Sequence, residues 1–349
     1  MATVFSRQVF SSRAVQRALW AVLLVIALIV PLYVDAFRVG QLTQVLVVAL
    51  AVMGLNVLTG FTGQVSVGHS AFFGVGAYVS AVTSVELGTG PLVGLVLAVV
   101  VGALIGLAVG LPSLRIKGTH LALVTLILAA AFPPIVRRLE AVTGGSQGLR
   151  GQRLPSPAAL PFAVDQFRYY VVLLVLLAVG AAVSMISRRP LGRALRALGD
   201  HETAAVAFGV RPGRLRLLVF SLSAAITALA GSLFVATVGY ISPATSYVTV
   251  LGSVIFLTAL VIGGRAIILG PVLGAAVVEL VPIEIGQQSP EIANLLFGAL
   301  IVVILLLLPG GISSLPSVLR RAWTRPATDS RGSTKASGSN ATPVATSKG

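Results

Sequence analysis

The chain has 349 residues, 56% hydrophobic and only 10% charged, with a mean hydropathy of +0.99 and a formal net charge of +15. A water-soluble core would sit in a chain with about a quarter of its residues charged, so this apolar excess requires lipid-facing surface. The lack of cysteine excludes disulfides, thiol catalysis and thiolate metal sites, and the three histidines (His69, His120, His201) are too scattered to build a metal centre.

In chain order, hydropathy predicts an all-α polytopic membrane protein with about ten transmembrane helices. They fall near 19–34, 40–58, 68–86, 91–111, 119–136, 169–186, 215–238, 248–264, 268–283 and 292–308. With a cytoplasmic N-terminus, 19 of the 25 Lys and Arg lie on the cytoplasmic side and 6 outside. That bias sets the topology, puts both termini in the cytoplasm and accounts for the basic charge without nucleic acid. The first span follows Arg7, Arg13 and Arg17 and reads as an uncleaved anchor, because the small-residue site near Asp35-Ala36 is poor. The expected organisation is a basic N-terminus over 1–18, a membrane domain over 19–310 and a basic tail over 311–349. The tail is Ser/Thr/Ala/Gly-rich from Pro326 and reads as largely disordered.

Between the second and third spans, Asn56, Thr59, Thr62, Gln64, Ser66, His69 and Ser70 crowd together with Gly60, Gly63 and Gly68. Lipid cannot satisfy such groups, so they face protein or a water-filled cavity. A glycine-interrupted membrane helix points to a substrate path. Asn56, Gln64, Ser66 and His69 are the candidate path residues, against the plainer reading of a tight helix contact or turn. For His69 a proton relay competes with ordinary packing. Further on, Gly102, Gly106 and Gly110 form an i, i+4, i+8 row that reads as a helix-packing face. The segment from Glu140 to Arg168, with Thr143-Gly144-Gly145-Ser146 and Pro155, Pro157 and Pro161, reads as an irregular outer loop.

The inner segment 187–214 is different. After Pro190, suited to a first helical position, Leu191, Leu195 and Leu198 repeat at i, i+4, i+7, and Arg189, Arg193 and Arg196 repeat opposite them. This predicts a short amphipathic helix, resting either on anionic lipid or on protein. Glu202 to Gly209 follows as a second short helix, with Gly209 placed for a left-handed cap. Its small residues at 204, 205 and 207 favour close approach by another protein over lipid. Near the outer end of the ninth span, Glu279 and Glu284 read as solvated carboxylates.

Three groups of residues resemble a known family. Glu202-x-Ala204-Ala205 with Gly209 resembles the coupling loop of bacterial ABC-importer permeases, in the form found among branched-chain amino-acid permeases. The run Gly54-Leu55-Asn56-Val57-Leu58-Thr59-Gly60-Phe61-Thr62-Gly63-Gln64-Val65-Ser66-Val67-Gly68-His69-Ser70 onward to Tyr78 looks like that family's N-terminal signature. Leu114 to Leu126, Thr143-Gly144-Gly145, Gly239 to Pro243, Gly263-Gly264 and Gly270 to Ala275 also match, so the likeness runs from about 45 to 310. Ala266-Ile267-Ile268 and Gly310-Gly311 depart from the family pattern.

The resemblance implies the membrane channel subunit of an importer in the bacterial inner membrane, passing branched-chain amino acids or similar small solutes inward; urea or short amides are the alternative substrates. It implies two ATPase subunits, a second permease, identical or homologous, and an extracytoplasmic substrate-binding protein. Arg193, Arg196, Glu202, Ala204, Ala205 and Gly209 would then couple the chain to the ATPase. No Gly-x-x-x-x-Gly-Lys-Ser/Thr loop occurs, so ATP and Mg belong to partners and this chain is expected to carry no cofactor of its own and no catalytic residues. An ion-coupled carrier is the rival transport reading, weakened because acidic residues avoid the predicted span centres. A membrane-embedded enzyme would need a catalytic constellation that the sequence lacks.

Overall fold

The computed structural model describes residues 24–114, 119–156, 163–267, 269–286 and 298. The helices in order are α1 (Leu24–Tyr33), α2 (Ala36–Leu55), α3 (His69–Glu86), α4 (Pro91–Ser113), α5 (Thr119–Arg138), α6 (Glu140–Thr143) and α7 (Val164–Arg188). They continue with α8 (Pro190–Asp200), α9 (Glu202–Ala207), α10 (Pro212–Val238), α11 (Val250–Gly263) and α12 (Gly270–Gly286). A π-helical turn, Asn56–Gly60, extends α2. Among the described residues the fold is all-α apart from a two-residue antiparallel bridge, β1 (Leu149–Arg150) with β2 (Tyr240–Ile241).

Among the described residues, five helical stretches are long and apolar enough to cross a membrane: Ala36–Gly60, Pro91–Pro112, His120–Arg138, Val164–Arg188 and Pro212–Val238. Helices α1, α3, α11 and α12 coincide with four more of the predicted spans. The one near 292–308 falls outside the described residues save for position 298. The most apolar window is 89% buried in Ala36–Gly60 and 78% in Pro212–Val238, but only 22% in Pro91–Pro112. α2 and α10 are therefore the core, and α4 turns its apolar side chains outward, as a lipid-facing helix does.

Small residues let the central helices meet. A Cβ at Gly76 would collide with the Ala228 carbonyl, and one at Gly231 with the Phe73 carbonyl, so α3 and α10 approach backbone to backbone. The Gly102, Gly106 and Gly110 row on α4 faces Ala228, Ala224 and Leu217 of α10, which is the packing face the spacing predicts. Around these contacts Phe73, Phe234, Tyr247 and Phe256 form an aromatic cluster with centroids 5.7–6.2 Å apart.

Two expectations need correction. The segment expected to be an irregular outer loop carries local structure over its described residues and ends earlier than predicted. α6 and a turn at Gly145–Gln147 lead into the β1–β2 bridge, Thr143 Oγ1 donates to Val136 O (2.6 Å), and α7 begins at Val164, before Arg168. The polar opening of α7 hides its start from hydropathy. Asp165 sits in the first turn, where the helix dipole favours an acid, and pairs with Arg168, while Gln166 accepts from the Ala163 N–H and donates to Pro31 O. Nor is Glu279 of α12 simply solvated, whereas Glu284 is exposed as expected. Glu279 is half-buried and accepts a hydrogen bond from Tyr247 Oη (2.8 Å), and Glu284 pairs with Arg38.

Candidate functional site

The break between α2 and α3 is held from every side. After the π turn and two more helical residues, Phe61 and Thr62, the chain runs irregularly from Gly63 to Gly68 before α3 starts at His69. Irregular backbone among membrane helices survives only where protein or water satisfies it. Thr59 Oγ1 donates to Gln64 O (2.9 Å), and Thr62 Oγ1 to Leu58 O (2.6 Å). Thr125 of α5 accepts from the Val67 N–H (3.0 Å), and Ser253 of α11 accepts from the Ser70 N–H (3.0 Å).

His69 is 1% exposed and lies at the centre of a directed hydrogen-bond chain. Ser223 Oγ donates to Gly54 O (2.6 Å), so its lone pair takes the proton of His69 Nε2 (2.7 Å). His69 Nδ1 is then the acceptor for Ser66 Oγ (3.0 Å), which itself accepts from the Gly68 N–H (3.4 Å). For a neutral imidazole this arrangement puts the proton on Nε2. Its ring also meets Phe72 edge to face at 5.6 Å. Both ring nitrogens are engaged within the protein, which matches the packing reading of this histidine.

Asn56, 1% exposed, is a second clamp. Its Nδ2 donates to Ile267 O (3.0 Å) and its Oδ1 accepts from the Ala266 N–H (2.8 Å). The carboxamide thereby fastens the α11–α12 turn, in which Ala266 has a φ of 59°, to the π turn. Of the four candidate path residues, Gln64 alone is half-buried, and its Oε1 is a buried acceptor without a protein partner. None of the four lines either of two mapped cavities. One is an apolar pocket of about 40 Å³ under α8, between Val57, Phe61, Leu195 and Val219. The other is an open basin of about 920 Å³ by the β1–β2 bridge, lined by Gln147, Arg150, Arg153 and Tyr240.

At the opposite end of α10 from that basin, α8 and α9 form the hairpin read from residues 187–214. Leu195 and Leu198 of α8 are buried against the bundle, while Arg189, Arg193 and Arg196 are exposed. Arg196 donates to Ser187 O (2.8 Å), closing the bend between α7 and α8. In α9, Ala205 is buried, and Ala204, Val206, Ala207 and Phe208 are exposed. Gly209 has a φ of 82°, the left-handed end that its position predicts. Glu202 pairs with Arg216 on α10 (2.8 Å).

Sequence reading overlooked several residues of these sites. Ser223, Thr125 and Ser253 are hydroxyls in otherwise apolar spans, where cross-helix hydrogen bonding is the expected use, and that signal was available. Phe208, 90% exposed, and Arg216 carried no comparable mark, since their roles depend on which way the hairpin folds.

Comparison with known proteins matches this architecture. The profile of the family described as "Branched-chain amino acid transport system / permease component" covers residues 37–305. The chain is 32% identical to the high-affinity branched-chain amino acid transport system permease protein LivM of Salmonella typhimurium, over 85% of this chain and 75% of that one. Identity to LivH of Escherichia coli is 25%, over 77% and 92%, and to the fructose import permease protein FrcC of Rhizobium meliloti 27%, over 78% and 77%. No solved structure matches it. With a family match across the whole bundle and the interrupted helix, the chain belongs to the permease components of branched-chain amino-acid transport systems, and is a multi-pass membrane protein.

Proposed function

We propose that this chain is the channel subunit of an ATP-driven importer in a bacterial inner membrane, admitting branched-chain amino acids. About ten spans with both termini cytoplasmic place the α8–α9 hairpin in the cytosol, consistent with the bias of its arginines. Two ATPase subunits hold the ATP and Mg, a second permease completes the pathway, and an extracytoplasmic protein delivers the solute.

The observation that carries this reading is the hairpin. It seats Leu195 and Leu198 on its own bundle, leaves Leu191 exposed, and turns outward the short face Ala204, Val206, Ala207 and Phe208 beside exposed arginines. Leu195 and Leu198 are spent on the protein, and the small Ala204 and Ala207 beside the exposed Phe208 leave room for close approach by another protein surface. Arg193, Arg196, Glu202, Ala204 and Gly209 frame the docking surface, with Ala205, expected among them, buried beneath it. We assign the segment 61–68 to the wall of the path, with Gln64 facing the solute and Asn56, Ser66 and His69 holding its shape. A neutral wall suits a zwitterion that must pass without being retained.

Reconstitution tests the proposal. Vesicles carrying this chain with its ATPase, second permease and binding protein take up leucine, isoleucine and valine only with ATP inside the catalytic compartment, and a protonophore leaves uptake intact. Uptake that persists without the ATPase and collapses with the protonophore refutes it in favour of an ion-coupled carrier. Because FrcC is similar over most of its length, fructose is the competing substrate to run alongside, with urea.

A further inference from the structure

The hairpin touches the interrupted helix by two routes. Directly, Gly199 near the end of α8 is seated on the backbone of Phe61 and Thr62. A Cβ there would lie 3.0 Å from Phe61 O and 3.2 Å from Thr62 C, so the two backbones meet with nothing between them. Indirectly, Glu202 holds Arg216, whose side chain is only 10% exposed, near the start of α10. Ser223, which receives the proton of His69 Nε2, stands seven residues further along the same helix. Seven residues is nearly two turns, about 10 Å of rise, so Arg216 and Ser223 share a face. Thr227, one more turn on, reaches toward α2 at Ala51 O from that face too (3.5 Å).

We propose that Arg216 and Gly199 are positioning residues for coupling, through which the hairpin and the Phe61–His69 segment move as one body. Displacing α9 pulls Arg216, and a continuous helix carries that displacement to Ser223, which grips the first residue of α3. Gly199 presses on the other end of the same segment. Helix α10 suits this use because it is buried among α2, α3 and α4 and cannot bend independently of them. Arg216 is a better transmitter than an apolar residue would be, because a largely buried guanidinium cannot leave its carboxylate without an uncompensated charge. The proposal rests on the docking role of the hairpin.

The test uses the complete importer in vesicles, with ATPase co-purification, ATP hydrolysis and solute uptake measured together. R216M and R216E keep the ATPase bound and hydrolysing at the parental basal rate, but lower uptake per ATP at least tenfold. The double variant E202R/R216E, which restores the pair in reverse, regains at least a third of parental uptake. G199V, crowding the second contact, uncouples as R216M does, and G199A does so less. Parental uptake per ATP in R216M, or a folded double variant no better than the singles, overturns the proposal. Should R216M not insert, the graded response to G199A and G199V decides, and equal parental coupling in both overturns it. A parental complex from which the ATPase is absent refutes instead the docking role itself, so the two failures are distinct.

Discussion

Removing the Asn56 carboxamide is the sharpest test of how the interrupted helix is held. In Asn56→Ala the Ala266 N–H and the Ile267 carbonyl lose their partners, and both lie at a contact that the π turn closes. Ala266 and Ile267 are exposed and both bonds only part-buried, so water replaces some of what is lost; a net loss of about 0.5–1.5 kcal/mol per bond gives roughly 1–3, or about 2 at the middle. The usual conversion of 2–4 °C per kcal/mol then gives a drop of roughly 4–8 °C in apparent Tm. Membrane proteins of this size unfold irreversibly, so parent and variant must be heated at one scan rate in one detergent, with the monodisperse fraction read by size exclusion. Gly60→Ala provides an independent route to the same contact. Its added methyl would collide with Asn56 Oδ1 and lie 2.7 Å from Ala266 N, displacing the clamp without removing it. Both variants should fall together. If Asn56→Ala melts within a degree of the parent, the carboxamide is not what joins α2 to the α11–α12 turn.

Three further outcomes follow from the geometry. Gly76→Ala and Gly231→Ala place a methyl on a facing backbone carbonyl that cannot rotate away, so the folded yield should collapse, whereas Gly40→Ala, with open space around it, should express like the parent. Phe208→Ala should leave thermal stability unchanged, since the ring is 90% exposed, yet weaken ATPase binding by about 2 kcal/mol, roughly 30-fold, as for an interface anchor. Pull-down titration measures it, and unaltered affinity would remove Phe208 from the interface. Gly209→Arg has room for its side chain but carries about 1–2 kcal/mol of left-handed strain and covers the docking face. It should insert normally and lose uptake at least tenfold; normal transport would remove this end of the hairpin from coupling.

The helical class, the order of spans, the α4 glycine row and the two-helix hairpin with its glycine stop were all legible from residue order. Each depends on local information: a run of apolar residues long enough for a bilayer, a repeat near 3.6, or a glycine where φ must be positive. The start of α7 was missed for the same reason, because Asp165, Gln166 and Arg168 dilute hydropathy while their own contacts order the helix. The polar residues of the signature were legible as a group that lipid could not satisfy, but their individual duties were not. Asn56 pairs with residues more than 200 positions away and His69 with one 154 away, and no local pattern encodes a partner at that distance. Only the packed bundle decides that Ser223 is the acceptor for Nε2, and that Gly199 lands on Phe61 while Arg216 waits for Glu202. Local periodicity specifies which segments are helices; which side chains meet is settled when those helices close on their small residues and every buried donor must find what lies opposite.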